Sequence, residues 1–340
     1  MAITAKKIAE KLNLSPSAVS LALNGKPGVS DSTRELVLAE AERMGYAKQK
    51  VTTAGPQNIR FVIFLGHQRI IQETTFYSYI LQGIEKYAKR YGYNVLVSYY
   101  RADEDPTLQL NAISADVTGL IILGTSIERS RLDLLQPLFD LDLPMVMVDN
   151  YIESLGIDCV VTDNYRGVYN ATKYLLAKGY TDLGYLRSKS KIDNFRRRQE
   201  GFFNACKEAD LNQKYTMIDV GISSQMAYDD ISLWLEQGNK PPRALVADND
   251  VIATACTRAL KAHGYRIPED VAVIGFDNMP LCTMVDPPLT AIDVNKEMIG
   301  KTAVNLLHNR INEFYSGAEC MDDGTLLVYV STRLIERDST

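Results

Sequence analysis

Between residues 59 and 276, short apolar runs alternate with amphipathic segments, and this alternation restricts the possible folds more than any other feature of the chain. The runs are apolar throughout rather than at every second position, which is typical of strands covered on both faces. Strands that alternate with helices favour parallel, doubly wound sheets. The predicted strands are IRFVIFL (59–65), YNVLVSY (93–99), GLIILG (119–124), PMVMVD (144–149), CVVTD (159–163), DLGYLR (182–187), RALVAD (243–248) and VAVIGF (271–276).

These strands are too many for one sheet of ordinary size, so we expect two similar α/β subdomains. The carboxyl ends of both sets of strands would face a shared cleft, which is where ligands bind in such folds. The predicted helices are Tyr79–Tyr91, Tyr165–Ala177, Arg197–Ala209, Ser224–Glu236 and Val251–His263. The expected bounds are 59–162 with 292–323 for the first subdomain and 163–291 with 324–340 for the second, with crossings near Thr162–Asp163, Leu289–Asp293 and Gly324.

A separate helical unit is predicted in residues 1–47. Apolar residues in 5–12 recur at three- and four-residue spacing, and Ser15 followed by Pro16 is a typical start of a second helix, which would bury Val19 and Leu23. A third helix is expected from Ser30 to residue 44. The first two helices have helix-turn-helix spacing, which indicates DNA binding through the major groove, although the pattern alone also fits a plain helical bundle.

Charge is distributed unevenly along the 340 residues. The formal net charge is −5, but residues 1–50 contain eight Lys or Arg and five Asp or Glu, which leaves this region at +3 and the remainder at −8. A basic cap on an acidic body directs the cap toward phosphate and keeps the body away from it.

The sequence lacks the motifs that are typical of membrane proteins, metal sites and several classes of enzyme. No apolar run approaches the roughly 18 residues of a membrane span, and the N-terminus is a charged helix rather than a signal peptide, so we expect a cytoplasmic protein. The cysteines are widely spaced without a CxxC pair, which favours buried, reduced thiols over disulfides or zinc, and we expect no metal and no cofactor. The nucleotide-binding and nucleophile motifs of an enzyme with a Rossmann-like core are missing, so no catalytic residues are expected. The five cysteines are Cys159, Cys206, Cys256, Cys282 and Cys320.

The N-terminal run TAKKIAEKLNLSPSAVSLALNGKPGVSDSTRELVLAEAERMGY (4–46) closely resembles the headpiece of the LacI/GalR family of transcriptional regulators. The resemblance implies base contacts from residues 16, 17 and 21, and backbone-fixing roles for other headpiece residues. An apolar side chain at position 21 can touch a thymine methyl but cannot hydrogen-bond to a base edge. The DNA-binding candidates are Thr4, Ser15, Pro16, Ser17, Ser20, Leu21, Asn24, Ser30 and Thr33.

The remainder resembles the periplasmic-binding-protein-like core of the same family. The matching motifs are DN..G...A..YL...GY (163–180), R..GF (198–202), NDVIA (249–253) and IP.DVAVIGFDN (267–278). The resemblance implies a small-molecule effector, and its converging Arg, Asp and Asn suit a polyhydroxylated one. Each polar candidate also fits a local role, as a helix cap, a turn cap or a surface salt bridge. The effector-binding candidates are Phe76, Tyr77, Asp149, Arg198, Asp248, Asn249 and Asp277.

Two segments depart from the family pattern. The predicted linker, residues 48–58, lacks the leucine that many family members insert into the minor groove, so its sequence leaves open whether it forms a minor-groove helix. The segment GHQRIIQETT (66–75) is longer than the family pattern and could reshape the mouth of the cleft.

The sequence therefore predicts a homodimeric regulator that binds double-stranded operator DNA and does not contact a membrane. Resemblance places the dimer surfaces at Tyr79–Tyr91 and Asn278–Met284. A carbohydrate is the expected effector, and a purine-like or protein corepressor is the alternative. Effector binding would change DNA affinity because it favours one arrangement of the two subdomains.

Overall fold

The computed structural model of the chain describes residues 5–23, 28–44, 57–66, 71, 75–128, 132–133, 135–211, 214–316 and 324–340. Two predicted DNA contacts, Thr4 and Asn24, lie outside these ranges, as do residues 48–56 of the predicted linker. The last two residues expected in the linker, 57 and 58, begin the first strand.

The N-terminal unit consists of three helices, α1 (Ala5–Leu12), α2 (Pro16–Leu23) and α3 (Asp31–Arg43). The three helices pack around a small apolar core formed by Ile8, Ala9, Val19, Ala22, Val37 and Ala41. Both predicted caps are present, because Ser15 Oγ accepts a hydrogen bond from Ala18 N at 3.1 Å and Ser30 Oγ accepts one from Thr33 N at 3.2 Å. The apolar spacing and the caps thus produce the predicted headpiece.

The first subdomain is built on a six-stranded sheet in the order β11-β5-β4-β3-β1-β2, in which all pairings are parallel. Helices cover both faces of it. Its strands are β1 (Gln57–Leu65), β2 (Tyr93–Arg101), β3 (Gly119–Leu123), β4 (Met145–Val148), β5 (Asp158–Thr162) and β11 (Leu327–Val330). Its helices are α4 (Phe76–Ala88), α5 (Pro106–Ser114), α6 (Gln136–Phe139) and α11 (Lys296–Ser316).

The second subdomain repeats this plan in the order β12-β10-β9-β8-β6-β7, with only the edge strand β12 antiparallel. Its strands are β6 (Leu183–Ser188), β7 (Tyr215–Val220), β8 (Ala244–Ala247), β9 (Ala272–Asp277), β10 (Thr290–Val294) and β12 (Thr332–Ile335). Its helices are α7 (Asn164–Ala177), α8 (Asp193–Glu208), α9 (Ser224–Glu236) and α10 (Asp250–Ala262). The predicted fold class, two doubly wound sheets behind a helical headpiece, is confirmed.

Two of the three crossings lie later in the chain than the sequence indicated. Strand β10 belongs wholly to the second sheet, although residues 292–294 were assigned to the first subdomain. Strand β11 pairs with β5 in the first sheet, although residues 324–340 were assigned to the second. The chain therefore crosses after Val294 and again at residue 331, between two short strands that carry no turn residue to mark the passage. Only their pairing partners, β5 for β11 and β10 for β12, show that these two strands belong to different sheets.

Close helix contacts at glycine fix the elements that carry the site. A Cβ added at Gly300 of α11 would lie 2.6 Å from the backbone of Ile80 in α4, and one added at Gly201 of α8 would lie 2.2 Å from Tyr165 O in α7. Only glycine allows these backbones to approach so closely. Among the helices of the described ranges, none is both long and apolar enough to span a bilayer.

Candidate functional site

Arg198 lies at the centre of a buried polar network between the subdomains. It is 4% exposed, and its Nε donates to Asn164 Oδ1 at 2.8 Å. Its two Nη atoms donate to the carbonyl of Asp248 and, at 3.4 Å, to Asp277 Oδ1. The guanidinium carbon lies 3.6 Å from the ring centroid of Phe276. The planar fork is thus held in one orientation by three partners and one ring.

Asp149 provides the link to the first subdomain. It follows β4 with a φ of 63°, and its Oδ2 accepts a hydrogen bond from Thr125 Oγ1 at 2.6 Å. Its carbonyl accepts from Asn194 Nδ2 at 3.1 Å, and Asn194 Oδ1 accepts from Asn164 Nδ2 at 3.0 Å. The chain of contacts therefore runs from Asp149 to Arg198. Asp149 Oδ1 is buried without a hydrogen-bond partner among the described residues.

The remaining polar candidates surround this network in the second subdomain. Asp248 accepts hydrogen bonds from Tyr185 Oη and Ser188 N, each at 2.6 Å. Asn249 is the N-cap of α10, because its Oδ1 accepts from Ile252 N at 2.9 Å, as the local alternative indicated. Asp277 has a φ of 103°, a conformation that strains a residue other than glycine.

Burial dominates the electrostatics of the site. It raises the pKa of Asp149 to about 6, that of Asp248 to about 7 and that of Asp250, which follows the cap of α10, to about 8. It also raises the pKa of Asp277, against the opposing effect of Arg198 and Lys296. Four buried carboxyl groups thus face three cationic side chains, Arg187, Arg198 and Lys296, and donors from a ligand would relieve the excess.

We expect Asp149→Asn to stabilise the free protein at about pH 8 and to leave it nearly unchanged at about pH 4. Because burial raises the pKa of this carboxyl from 3.8 to about 6, the folded protein binds more protons than the unfolded chain between these values. The free energy of unfolding of the wild type therefore falls as the pH rises through this window, by at most about 3 kcal/mol, and asparagine removes that fall. Urea unfolding across the pH range measures the difference.

Asp103→Asn is the matched control. Asp103 is exposed, so this variant makes the same chemical change at a carboxyl group that is not buried. If the free energy of unfolding of Asp149→Asn ran parallel to that of the wild type at every pH, burial of this carboxyl would not be destabilising.

The two aromatic candidates occupy different surroundings. Phe76 begins α4 and is buried, and Lys296 Nζ lies 5.6 Å from its ring centroid while donating to the carbonyl of Asp277. Phe76 is therefore joined to the network through one lysine. Burial and the neighbouring hydroxyl of Tyr99 on the edge strand β2 raise the pKa of Tyr77. Of the long loop at 66–75, residues 67–70 and 72–74 are outside the described ranges.

Sequence reasoning missed the side chains that connect these candidates. Asn194 is four residues before Arg198 and so shares its helix face, a signal that was available. Asn164 stands inside a matched motif, directly after the first crossing. Lys296 follows the second crossing, which the sequence predicted a few residues too early. Its contact with the carbonyl of Asp277 exists because β10 lies in the second sheet beside β9.

A cavity of about 710 Å³ opens beside this network, between the end of β6 and the first turn of α8. Ile127 and Ile192 contribute apolar surface to this cavity, and most of its other lining residues are charged. The charged residues are Glu128, Arg187, Lys189, Lys191, Asp193, Arg196 and Asp219. A volume of this size is within the range of small-molecule sites.

In the headpiece, Ser15 and Pro16 are exposed at the start of α2, whereas Leu21 is half-buried. A Cβ at Gly28 would lie 3.1 Å from Leu21 Cδ1, so this leucine lies against the turn before α3. The hydroxyl groups of Ser30 and Thr33 are 2.7 Å apart at the start of α3. The side chains of Ser17 and Ser20 lie outside the described part of the structure.

Four cysteines, Cys159, Cys206, Cys256 and Cys282, are buried free thiols, and the fifth lies in the range that the structure does not describe. Within the described ranges, no group of three or more His, Cys, Asp or Glu side chains could hold a metal ion.

Residues 172–340 match the family model of a periplasmic binding protein-like domain. The HTH-type transcriptional repressor PurR of Aliivibrio fischeri is 30% identical over 317 residues, which cover 91% of this chain and 92% of the relative. The PurR repressor of Aliivibrio salmonicida is 29% identical over 314 residues, with the same coverage.

Solved structures share the fold. The transcriptional regulator CelR in complex with cellobiose has a TM-score of 0.69 at 20% identity, and covers 99% of this chain and 100% of its own. The Lac repressor dimer bound to operator and the anti-inducer ONPF has a TM-score of 0.67 at 22% identity, and covers 100% of this chain and 99% of its own.

Proposed function

Because the chain belongs to the LacI/GalR family of transcriptional regulators, we propose that it is a homodimeric repressor whose affinity for operator DNA is controlled by a small polyhydroxylated effector, bound between its two core subdomains. The headpiece would read the operator, and the network around Arg198 would hold the effector.

One observation carries the choice of effector. Asp149 Oδ1 is buried without a partner in the described residues, and it belongs to the same contact chain as the Arg198 fork and the Asp277 carboxyl group. An unpaired buried acceptor is unfavourable until a donor reaches it. Adjacent hydroxyl groups of a sugar can donate to Asp149 and Asp277 and accept from Arg198, so they satisfy both kinds of group.

A purine-like molecule is the second candidate. Phe76 supports it, because this ring begins α4 next to Lys296 and is linked by that lysine to Asp277. A flat heterocycle could stack on such a ring while its edge contacts the carboxyl groups.

Effector binding would act by changing the relative orientation of the two subdomains. A ligand changes the DNA-bound fraction only if it binds one arrangement more tightly than the other, and typical coupling energies are about 1 to 3 kcal/mol. The dimer would form along α4 and the segment Asn278–Met284, where Met284 is 80% exposed.

The test is the melting temperature of the purified full-length protein with hexoses, disaccharides, sugar phosphates, polyols and nucleobases. A ligand at about 100 times its dissociation constant adds about 2.7 kcal/mol to the stability of the folded state. We expect one carbohydrate class to raise the melting temperature of the wild type, and Asp277→Asn to lose most of that rise. An equal rise in wild type and variant would place the ligand outside this network, and a rise with nucleobases alone would favour the second candidate.

A further inference from the structure

We propose that a second cavity, beside the strands that cross between the subdomains, binds a small neutral molecule with one flat face and a hydrogen-bonding edge. This crossover cavity has a volume of about 330 Å³ and is lined by Tyr151, Thr162, Asn164, Tyr165, Asn194 and Tyr329, among others. The crossover cavity adjoins the cavity of about 710 Å³, with which it shares Asp193, and it extends the proposed function with a second ligand.

The position of the cavity makes it sensitive to the arrangement of the subdomains. Thr162 is the last residue of β5, where the chain first crosses, and Tyr329 lies in β11, just before the third crossing. Asn164 and Asn194 stand in the first turns of α7 and α8. Both subdomains therefore contribute walls, and a rotation between them would change the shape of the cavity.

A buried polar atom without a partner points to a ligand. Thr162 is 2% exposed, and its Oγ1 has no hydrogen-bond partner among the residues that the structure describes. Buried hydroxyl groups are normally satisfied, so an isolated one in the wall of a cavity indicates a missing donor or acceptor. A hydroxyl can both donate and accept, and hence it selects for a polar edge rather than for a charge.

The remaining lining gives the chemical class. Three tyrosines, at 151, 165 and 329, offer ring surface, and the Tyr329 side chain remains 52% exposed. The charges of the lining balance, since its two arginines, Arg166 and Arg197, are matched by two acids, Asp163 and Asp193. Arg166 Nε lies 3.6 Å from Asp163 Oδ2, and Arg197 Nη1 is paired with Glu200 outside the lining. Balanced, paired charges favour a neutral ligand, and rings favour a flat one. At about 30 Å³ per water-sized group, the volume admits roughly ten non-hydrogen atoms, the size of a nucleobase or a pyranose.

Contacts already present would couple this cavity to the cleft. Asn164 accepts from Arg198 Nε and donates to Asn194, which in turn donates to the carbonyl of Asp149. Both asparagines line the crossover cavity as well. A ligand that fixes them would alter the Arg198 network, and by linkage a cleft ligand would alter the affinity of the cavity by the same factor.

The test is calorimetric titration of the full-length protein with adenine, uracil, glucose and galactose, in the wild type and four variants. Thr162→Val removes the unpaired hydroxyl at nearly constant shape, and Tyr329→Ala removes an exposed ring. Phe314→Ala is the matched control, because Phe314 is another exposed aromatic residue and lies outside both sites and the expected dimer surface. Asp277→Asn marks binding in the cleft.

We expect one probe to bind with an affinity that falls at least about tenfold in Thr162→Val and Tyr329→Ala and less than about twofold in Phe314→Ala. Asp277→Asn, which acts only through the coupled network, should change this affinity less than either cavity variant does. The melting temperature of ligand-free Thr162→Val should equal or exceed that of the wild type, because the change removes an unsatisfied buried group. The identity of the bound probe separates a nucleobase from a pyranose. The proposal is overturned if no probe binds the wild type, if Asp277→Asn alone loses binding, or if Thr162→Val melts lower without losing affinity.

Discussion

Replacing Arg198 by alanine should abolish the response to effector while DNA binding by the headpiece persists. The substitution removes the donors to Asn164, to the carbonyl of Asp248 and to Asp277, and it takes away the cation that opposes the buried carboxyl groups of Asp149, Asp248 and Asp277. Breaking a buried charge pair typically costs about 3 to 5 kcal/mol. We expect effector affinity to fall by at least about a hundredfold, which corresponds to roughly 2.7 kcal/mol.

Arg198→Lys is the matched control for charge. Lysine keeps the positive charge but has no planar fork, so it cannot hold Asn164 and Asp277 together. It should recover most of the lost stability and little of the lost affinity. Binding of effector is measured by calorimetry and the free energy of unfolding by urea titration. Unchanged effector affinity in both variants would remove Arg198 from the binding site.

Removing residues 1–47 should eliminate specific DNA binding and leave a folded core that still binds effector. The headpiece has its own small core around Val19 and Val37, and the net charge of residues 1–50 is positive whereas the remainder is strongly acidic. Specific affinity usually exceeds nonspecific affinity by about a thousandfold or more, and the truncated chain should lose this whole difference.

Fluorescence anisotropy with labelled genomic fragments, selected first by the full-length protein, measures the effect of the truncation. Full-length Arg198→Ala is the complementary control, because it should keep DNA binding and lose effector binding. A truncated protein that retained specific affinity would show that the core, and not the headpiece, reads DNA.

Local signals predicted the elements of this fold closely. The apolar run at 59–65 forms all but the first two residues of β1, and the predicted helix Ser224–Glu236 has the observed bounds of α9. Continuous apolar strands and capped amphipathic helices determine their own type, because each element must bury its apolar face whatever its neighbours are. Ser15 and Ser30 capped the headpiece helices for the same local reason.

The crossings and the connecting side chains depend on long-range pairing, which no local pattern records. Strand β11 joins the first sheet because Leu327 pairs with Cys159, a partner far away in the sequence. Lys296 contacts Asp277 and Phe76 only because α11 follows β10 back to the first subdomain. A family resemblance indicates Arg198 and Asp277, and its position at the end of a predicted strand indicates Asp149; the structure adds the asparagines that join them.

The most direct test of the account is the dissociation constant of the full-length protein for its selected operator, measured with and without the effector found by melting shift. We predict that effector changes this constant about five- to 150-fold in the wild type, the usual range of allosteric coupling, and less than about twofold in Arg198→Ala. An equal constant with and without bound effector in the wild type would contradict the claim that the cleft controls the headpiece.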